Sequence, residues 1–455
     1  MSLNTNSLES MCELIVDCPH STPEWTDSGY LVTRNQNIKN GVLNLSSPSF
    51  TNRNDYLKRV KRAEPRAGDI IFTREAPMGE VCMIPEGLQC CLGQRQVLLR
   101  PKSSVCGEYL FWALQSPFVQ HQISWNEGTG STVSNVRIPV LKALNIPRQE
   151  NEAEIAKVLS DIANKIELNR QTNQTLEQIA QAMFKSWFVD FEPVRAKIAA
   201  NAAGENAQRA AMAAISGKNQ AELDLLDQQH PEQYQQLQAI ADLFPNNLID
   251  SELGEIPEGW KLTVLGDVLD FNPKRSLKKG VSAPYLDMKN VPTEGHLADE
   301  VILRDMASGT KFINGDTLLA RITPCLENGK TAYVDFLNDG QVGWGSTEYI
   351  VMRSKGERPT SLGYFIARFD SFRTAAIQTM TGTSGRQRAN AKALSEQTWL
   401  DYPIELLDIF DHIAGVYLYK AKINGAENKS LSELRNALLP HLLNDNLVAS
   451  NKGEN

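Results

Sequence analysis

The sequence predicts an α+β protein in which two similar mixed α/β domains and two matching long helices are related by pseudo-two-fold symmetry. Three observations lead to this fold class. The pair Asn169 and Asn173 recurs 255 positions later within the same helical pattern. A Gly-Asp dipeptide followed by Arg-x-x-Pro occurs in residues 68–77 and again in residues 315–324. Strand-like and helical segments alternate around each copy. A duplicated module suits a target with two halves, and duplex DNA is the commonest such target.

The composition is that of a soluble protein with several domains. At 455 residues the chain corresponds to about three ordinary domains, and its 42% apolar and 22% charged residues are usual for globular proteins. No run approaches the roughly 18 apolar residues of a membrane span, and the polar N-terminus does not have the pattern of a signal peptide. The odd number of cysteines, most of them in the first quarter of the chain, argues against a disulfide framework. We therefore expect a reducing, cytoplasmic location.

The first mixed domain is assigned to residues 1–150 and the second to residues 251–405. Both contain short β-branched or aliphatic runs between Gly-rich turns, followed by an apolar pattern of helical period. The predicted strands are 69–72, 95–99, 316–319 and 348–352, and the predicted helices are 107–119 and 361–372.

Residues 151–193 are predicted to form a central helix, ended by Pro193, and residues 406–455 a C-terminal helix. In both, the seam positions are spaced alternately by four and three residues, which is the heptad pattern of a coiled coil. The first seam consists of Ile155, Leu159, Ile162, Ile166, Asn169, Asn173, Leu176, Ala180, Met183 and Trp187. The second consists of Phe410, Ala414, Tyr417, Ala421, Asn424, Asn428, Leu431, Arg435, Leu438 and Leu442. At 1.5 Å per residue, each seam would be about 50 Å long.

Paired asparagines lie on both seams, at Asn169 with Asn173 and at Asn424 with Asn428. A seam asparagine penalises misregistered pairing in a coiled coil and therefore fixes the register. If the two helices run antiparallel, the pairs would meet near the helix midpoints, across the pseudo-dyad. The alternative is that they are unrelated surface residues.

Residues 194–250 form an acidic segment rich in Ala and Gln that has no counterpart after the second helix. The acidic excess behind the net charge of −8 falls between residues 190 and 258, and the rest of the chain is balanced. The charge of the whole chain is therefore a poor guide to its partners, because local patches decide contact with phosphate. A helical extension, a partner-binding arm and a flexible linker all remain open for this segment.

Outside the acidic segment, where positive and negative charges balance, three groups of residues are candidates for contact with DNA. Basic runs suit phosphates, equivalent arginines after a strand suit guanine or phosphate, and hydroxyls and arginines on Gly-flexible loops suit a groove. The basic runs comprise Arg53, Lys58, Arg59, Lys61, Arg62, Lys274, Arg275, Lys278 and Lys279. The equivalent arginines are Arg74 and Arg321, and the loop residues are Thr129, Ser131, Thr383, Ser384, Arg386 and Arg388. The alternatives are solvated loops for the runs and arginines held in salt bridges beneath the surface.

The sequence contains no convincing catalytic set. The Gly-x-x-x-x-Gly-Lys-Ser/Thr loop that cradles phosphates is missing, and Asn272-Pro273 lacks the second proline and the aromatic ring of amino-methylating DNA enzymes. Cys12, Cys18 and His20 do not have the Cys-x-x-Cys spacing of a zinc site. A duplicated enzyme should duplicate its acid or base, yet no histidine is duplicated. We therefore expect a non-catalytic chain without a metal or cofactor of its own.

The ordered set of these motifs resembles the specificity subunit of Type I restriction–modification systems, over nearly the whole chain. No single motif is specific, but the repeated order is. The resemblance rests on the Gly-Asp and arginine motif in both halves, the Gly-Thr loops at 128 and 382, and three further segments. These segments are Ile146-Pro147 leading into Glu154-Ile155-Ala156, Ile162 with Ile166 and Asn169, and residues 255–260, Glu-Ile-Pro-Glu-Gly-Trp.

The resemblance implies two target recognition domains, each reading one half of a split site in double-stranded DNA, separated by an antiparallel coiled-coil pair of helices. It also implies that the helices bind two modification subunits, which carry S-adenosylmethionine and methylate adenine. Restriction subunits that use ATP and Mg²⁺ would join the complex. The acidic segment is longer than the repeat requires, which leaves the boundary of the central helix in doubt.

Two other functions remain possible from the residues. A non-catalytic coiled-coil adaptor that binds proteins and no DNA would explain the acidity, although not the paired basic runs. A nuclease with an unrecognised site would act in isolation with Mg²⁺. A salt-dependent affinity for duplex DNA would favour the recognition subunit, because phosphate binding must weaken as salt rises.

Overall fold

The computed structural model describes residues 4–125, 135–383 and 385–444. The chain divides into two compact units. Unit 1 consists of Met1–Glu167 with Glu427–Asn455, and unit 2 consists of Leu168–Ala426. Each unit thus combines one mixed domain with part of both long helices.

Unit 1 contains twelve strands and five short helices within its described residues, and a long helix begins in it. The strands are β1 Thr5–Ser7, β2 Cys12–Asp17, β3 Trp25–Thr26, β4 Tyr30–Thr33, β5 Ile38–Lys39, β6 Val42–Leu43, β7 Phe50–Thr51, β8 Ile70–Thr73, β9 Val81–Met83, β10 Cys90–Leu92, β11 Gln96–Pro101 and β12 Asn145–Pro147. The helices are α1 Leu8–Met11, α2 Arg53–Arg59, α3 Gly107–Leu114, α4 Pro117–Trp125, α5 Ile138–Ala143 and the long α6 Glu152–Phe188.

Unit 2 repeats this arrangement after four inserted helices. The inserted helices are α7 Glu192–Ala203, α8 Ala207–Ser216, α9 Gln220–Gln229 and α10 Pro231–Asp242. The strands are β13 Leu248–Ser251, β14 Gly254–Pro257, β15 Lys261–Val264, β16 Leu269–Phe271, β17 Ser282–Leu286, β18 Val301–Asp305, β19 Thr310–Phe312, β20 Thr317–Ala320, β21 Thr331–Tyr333, β22 Gly343–Gly345, β23 Tyr349–Ser354 and β24 Thr398–Asp401. The remaining helices are α11 Leu265–Val268, α12 Leu362–Arg368, α13 Asp370–Gln378, α14 Ala391–Ser395 and the long α15 Ile404–Asn444.

The same antiparallel sheet lies at the centre of each unit. Its strand order is β2-β11-β8-β9 in unit 1 and β16-β23-β20-β21 in unit 2. The register also repeats, since Ile71 lies opposite Leu98 and Leu318 opposite Val351. Strands β8 and β20 are buried along their whole length, which explains why both read as uninterrupted apolar runs. The four predicted strands are all confirmed, with ends shifted by one or two residues.

A second four-stranded sheet differs between the units at one edge. Three strands share an order, β10-β4-β7 in unit 1 and β22-β17-β18 in unit 2, and the first pair of each trio is parallel. In unit 1 the sheet continues from β7 to β3, whereas in unit 2 the extra strand β19 is added beside β22. The scaffold is therefore duplicated, and its edges have diverged.

The helices predicted at 107–119 and 361–372 are each interrupted. In the first, α3 ends at Leu114 and α4 begins at Pro117, whose ring cannot occupy a helix interior but suits the first helical turn. In the second, the extended backbone of Phe369 separates α12 from α13. The central helix ends earlier than expected, at Phe188, and Pro193 lies in the first turn of α7.

The apolar core of each central sheet continues onto the long helices. In unit 1, Ile155 and Leu159 of α6 and Leu443 of α15 belong to the core that contains β8 and β11. In unit 2, Phe184 and Trp187 of α6 pack in the core that contains β20 and β23. These residues are seam positions or their immediate neighbours. The heptad pattern therefore arises from burial against the mixed domains as well as from pairing of the two helices.

Helices α6 and α15 run antiparallel in both units. In unit 2, the Asn424 Nδ2 atom donates to Asn173 Oδ1 at 2.8 Å, and the Asn173 Nδ2 atom donates to the carbonyl of Ala421 at 3.1 Å. In unit 1, the Lys165 Nζ atom lies 3.3 Å from Glu427 Oε2. Farther along, Gln149 Nε2 donates to the carbonyl of Leu443 at 3.0 Å. The contacting residues of α15 rise in number from 421 to 443, while their partners on α6 and just before it fall from 173 to 149. The two helices therefore run in opposite directions.

The acidic segment forms helices α7 to α10 with a small apolar core of their own. Ala211, Met212, Leu223, Leu237 and Ala241 are buried together in it. The ammonium group of the buried Lys197 donates to the carbonyl of Phe244 at 2.6 Å, which holds the end of the segment against its first helix. Burial lowers the pKa of Lys197.

Candidate nucleic-acid interface

Arg74 and Arg321 occupy the same backbone position in the two units. Each directly follows the central strand, β8 or β20. The amide of Arg74 donates to the carbonyl of Arg95 at 2.8 Å, and the amide of Arg321 donates to the carbonyl of Glu348 at 2.9 Å. Their carbonyls in turn accept from Val136 at 3.1 Å and from Ala389 at 2.8 Å. The backbone therefore presents an arginine at the same point of each scaffold.

The surroundings of the two guanidinium groups differ. Arg74 Nη1 donates to both carboxylate oxygens of Asp17, at 2.9 and 2.8 Å, and its Nε donates to the carbonyl of Val136 at 2.9 Å. Arg321 is half-buried, its Nε has no hydrogen-bond partner, and among the described residues no carboxylate lies within salt-bridge distance of it. Asp17 thus largely compensates the charge of Arg74, whereas the charge of Arg321 is not compensated by an ion pair with any described carboxylate.

Near Arg321, Glu348 is engaged by a second arginine. Arg388 Nη2 lies 2.7 Å from Glu348 Oε1, and Arg388 Nε donates to Glu348 Oε2 at 2.8 Å. These hydrogen bonds hold the pKa of Glu348 below its usual range, and the charge of Arg321 contributes in the same direction. Because Glu348 is occupied by Arg388, it leaves Arg321 without a full counter-charge.

The duplicated Gly-Asp motif is structural. Gly68 and Gly315 adopt positive φ angles of 83° and 84°, which favour glycine, and each precedes a buried aspartate. The Asp69 carboxylate lies 2.7 Å from Arg100 Nη2, and the Asp316 carboxylate binds two arginines. The motif therefore forms a turn that buries an ion pair beneath the sheet edge.

The basic run of unit 1 is mostly exposed. Arg53, Lys58, Lys61 and Arg62 are open to solvent on and after helix α2. Arg59 is different, because its side chain is only 1% exposed. It donates to Asp55 at 2.8 Å and to the carbonyls of Leu92 and Ser21 at 3.2 and 2.6 Å. Arg59 thus holds α2 against the second sheet, and its partners occupy the donors that a phosphate would need.

The basic run of unit 2 behaves in the same way. Lys274, Lys278 and Lys279 are exposed in the loop between β16 and β17. Arg275 instead donates to the buried Asp316 at 3.0 Å, beside Arg353 at 3.2 Å from the same oxygen. Each run therefore contributes exposed cations and one arginine that is tied into the fold.

The Gly-Thr loops are described only in part. Thr129, Ser131 and Ser384 lie outside the described residues. Thr383 and Arg386 are exposed in the second loop, and Arg388 is joined to Glu348. The backbone bridges of this loop join residue 388 to residues 322 and 381, which places the loop next to the Arg321 motif.

A cleft in unit 1 contains candidate residues that the motif analysis missed. Its volume is about 320 Å³, and it borders Ala76 of the Arg-x-x-Pro motif. The aromatic, cationic and carboxamide side chains that line it are Trp25, Arg34, Asn35, Gln36, Gln94 and Arg95. They come from three separate stretches of sequence, so no local spacing reveals them. In the sequence, the available signal is a tryptophan nine residues before an arginine.

Two classes of site are not found in the parts of the chain that the structure describes. No group of three or more Cys, His, Asp or Glu side chains is arranged to hold a metal ion. No described helix combines the length and apolar content needed to cross a bilayer.

Comparison with known proteins shows which class of protein the chain is similar to. Residues 20–178 match the family model described as the Type I restriction modification DNA specificity domain. The chain is similar to the specificity subunits of Type I restriction–modification systems, as the sequence motifs indicated. The relatives that match are named specificity subunits, which are the non-catalytic components of these systems, and the expectation of a non-catalytic chain agrees with this similarity.

Individual relatives extend this similarity along the chain. The specificity subunit of the Type I restriction enzyme HindI from Haemophilus influenzae is 27% identical over 420 residues, which cover 87% of this chain and 90% of the relative. The MjaIX specificity subunit from Methanocaldococcus jannaschii is 34% identical over 148 residues, 31% of this chain and 34% of the relative. The crystal structure of the S subunit from M. genitalium aligns over 97% of this chain and 96% of its own, with a TM-score of 0.51 at 14% identity. The predicted fold class is confirmed.

Proposed function

We propose that this chain is the DNA-reading subunit of a Type I restriction–modification complex, with each mixed domain binding one half of a bipartite duplex site. The observation that carries the proposal is the pair Arg74 and Arg321. Both are presented by the same backbone, but their charges are compensated differently. A scaffold duplicated in this way, with different side-chain surroundings, suits two half-sites of different sequence.

The exposed cations suit the phosphates that flank the bases. Lys58, Lys61 and Arg62 of unit 1, and Lys274 and Lys278 of unit 2, are open to solvent. Such contacts position a protein on the duplex without reading its sequence. The net charge of −8 does not oppose this role, because the acidic excess lies in a separate segment with its own small core.

The long helices would bind two modification subunits, which would supply S-adenosylmethionine and methylate adenine, while restriction subunits would supply ATP- and Mg²⁺-dependent chemistry. Exposed apolar residues on the helices support two equivalent docking sites. Leu168 and Ile423 are exposed and 255 positions apart, and so are Ile179 and Leu434. Exposed aliphatic residues repeated in this way favour two copies of one partner.

The proposal is tested first by the salt dependence of binding. We expect the full chain, purified with the modification subunits of its own system, to lose affinity for its target duplex as salt rises. Replacing Lys58, Lys61 and Arg62 together by alanine should reduce the slope of log affinity against log salt by up to roughly 3. Replacing Arg195, Arg209 and Lys218 of the acidic segment removes the same charge and should leave the slope unchanged. Salt-independent binding would favour the adaptor without DNA binding.

Arg321 tests the assignment of one domain to one half-site. We expect Arg321→Ala to weaken recognition of a single half-site by about 5- to 150-fold, because a lost bidentate contact is worth about 1–3 kcal/mol. Sequencing of methylated DNA would report the altered motif. Arg321→Lys, which keeps the charge but not the planar fork, should restore affinity more than selectivity. Equal loss at both half-sites would instead indicate a defect in the fold.

A further inference from the structure

We propose that Arg34 reads a guanine in the half-site bound by unit 1, with Trp25 holding its guanidinium group in place. This inference rests on the proposed function and assigns a residue outside the duplicated motifs. Arg34 lies in the cleft beside Ala76 and Gln36. It follows strand β4 directly, at the end of an interior strand of the second sheet.

The backbone at Arg34 is fixed by its neighbours. The amide of Arg34 donates to Asn37 Oδ1 at 2.9 Å, and the Asn37 Nδ2 atom donates to the carbonyl of Asn44 at 3.0 Å. The carbonyl of Thr33, the preceding residue, accepts from the amide of Gly93 at 2.9 Å. A β-carbon at Gly93 would lie 2.4 Å from that carbonyl, so the close approach of the two segments requires glycine. The base of the cleft is therefore built before any ligand arrives.

The guanidinium group of Arg34 is placed by an aromatic ring. Its central carbon lies 5.2 Å from the centre of the Trp25 indole, and Trp25 is 47% exposed. Such a cation–π contact leaves the N–H edge of the arginine free, because only the flat face of the fork is covered. A positioned fork loses less conformational entropy when it binds than a freely moving one.

Arg34 is also the cation of this cleft whose donors are open. Arg95 lies 3.1 Å from the Glu75 carboxylate, and Gln94 donates to the carbonyl of His20 at 2.8 Å. No salt bridge or side-chain hydrogen bond is made by Arg34 to any residue that the structure describes. Paired N–H groups of this kind match the O6 and N7 acceptors of guanine in the major groove. A phosphate site would combine several uncompensated cations, whereas here Arg95 is neutralised and carboxamides complete the lining.

The test compares the motifs methylated by the unaltered full chain and by three variants, each assembled with the modification subunits of the same system. Sequencing of methylated DNA would give the motif, and binding to matched duplexes would give the discrimination at each position. We expect Arg34→Lys to reduce discrimination for one G·C pair of one half-site by about 5- to 150-fold, because lysine cannot bind O6 and N7 as a fork. Trp25→Leu should weaken the same discrimination by a smaller factor. Lys39→Ala, an exposed cation of the same unit, should leave the motif unchanged.

The outcomes separate this inference from the proposed function. Unchanged readout of the other half-site by the variants shows that the chain has folded and assembled. Uniform weakening across all sequences with a shallower salt dependence would assign Arg34 to a phosphate and overturn guanine readout. An unchanged motif, or a unit 1 half-site without guanine, would overturn it as well while leaving the proposed function intact. If the unaltered chain selected no DNA sequence, both would fall.

Discussion

Replacing Arg368 by leucine is expected to destabilise unit 2 by about 3–5 kcal/mol, because a buried charge network would lose its central member. Arg368 is 9% exposed and lies at the end of α12. Its guanidinium group donates to four backbone carbonyls and to the hydroxyl of Tyr364. The carbonyls belong to Thr293, Gly295, Gly329 and Thr331.

The network continues to the central helix. The hydroxyl of Tyr364 donates to the Glu177 carboxylate of α6 at 2.5 Å, and burial raises the pKa of Tyr364. Loss of Arg368 would leave buried carbonyls unsatisfied and would remove the cation that is joined to Glu177 through the Tyr364 hydroxyl. Each unsatisfied buried acceptor costs about 1–3 kcal/mol, although entry of water into the gap limits the total.

Hydrogen exchange of the full chain would measure this effect by unit. We expect faster exchange in α12 and in β20 and β21 of unit 2, with β8 and β11 of unit 1 unchanged. Arg195→Leu is a matched control, because its ion pair with Glu255 is half-exposed and such pairs contribute about 0–1 kcal/mol. Equal exchange rates in the Arg368 and Arg195 variants would contradict the structural role of the network.

Local patterns were sufficient to predict much of the scaffold. The strands at 69–72 and 316–319 were visible because buried central strands are continuous apolar runs. The heptad seam was visible because α6 buries one stripe along its length. Duplication strengthened both predictions, since a pattern repeated at a nearly constant shift is unlikely to arise from composition alone.

The roles of individual arginines could not be predicted in the same way. Arg59 and Lys58 are neighbours in one basic run, yet the first is buried and the second exposed. The difference comes from partners far along the chain, such as the carbonyls of Ser21 and Leu92, which local sequence does not reveal. Asp17 compensates Arg74 from 57 residues away for the same reason.

The cleft of unit 1 was missed because its lining comes from four segments, three of which are brought together by the second sheet. Strands β4 and β10 pair in parallel, which places the residues after Thr33 beside those after Leu92. A parallel pair has no short connection to mark it in the sequence. The edges of this sheet differ between the two units. Such a difference is expected if a duplicated scaffold binds two separate targets.

Removing one heptad from each long helix is expected to change the spacing between the two half-sites that are read. Deleting residues 161–167 from α6 and residues 426–432 from α15 removes Lys165 together with Glu427 and spares Asn173 and Asn424. Seven residues preserve the seam and shorten each helix by about 10 Å, the length of about three base pairs. The preferred spacer should therefore become shorter.

The duplex also rotates as it shortens, by roughly 35° for each base pair, so three base pairs turn one half-site by about 100°. Two heptad-deleted helices keep nearly their original facing, because a coiled coil repeats every seven residues. We consequently expect weaker methylation overall, with the remaining methylation at sites of shorter spacer. Sequencing of methylated DNA would measure both quantities in one experiment.

A deletion in one helix alone provides the control. In this control, residues 161–167 are removed and the matching segment of α15 is kept. The two contacts on either side of the deletion, Gln149 with Leu443 and Asn173 with Asn424, then cannot both form, because only one of them can keep its register. This variant should lose stable assembly, whereas the double deletion should retain it. A double deletion that assembles and still methylates sites of the original spacing would show that the helices do not set the distance, and the spacing would then have to be determined by the modification subunits.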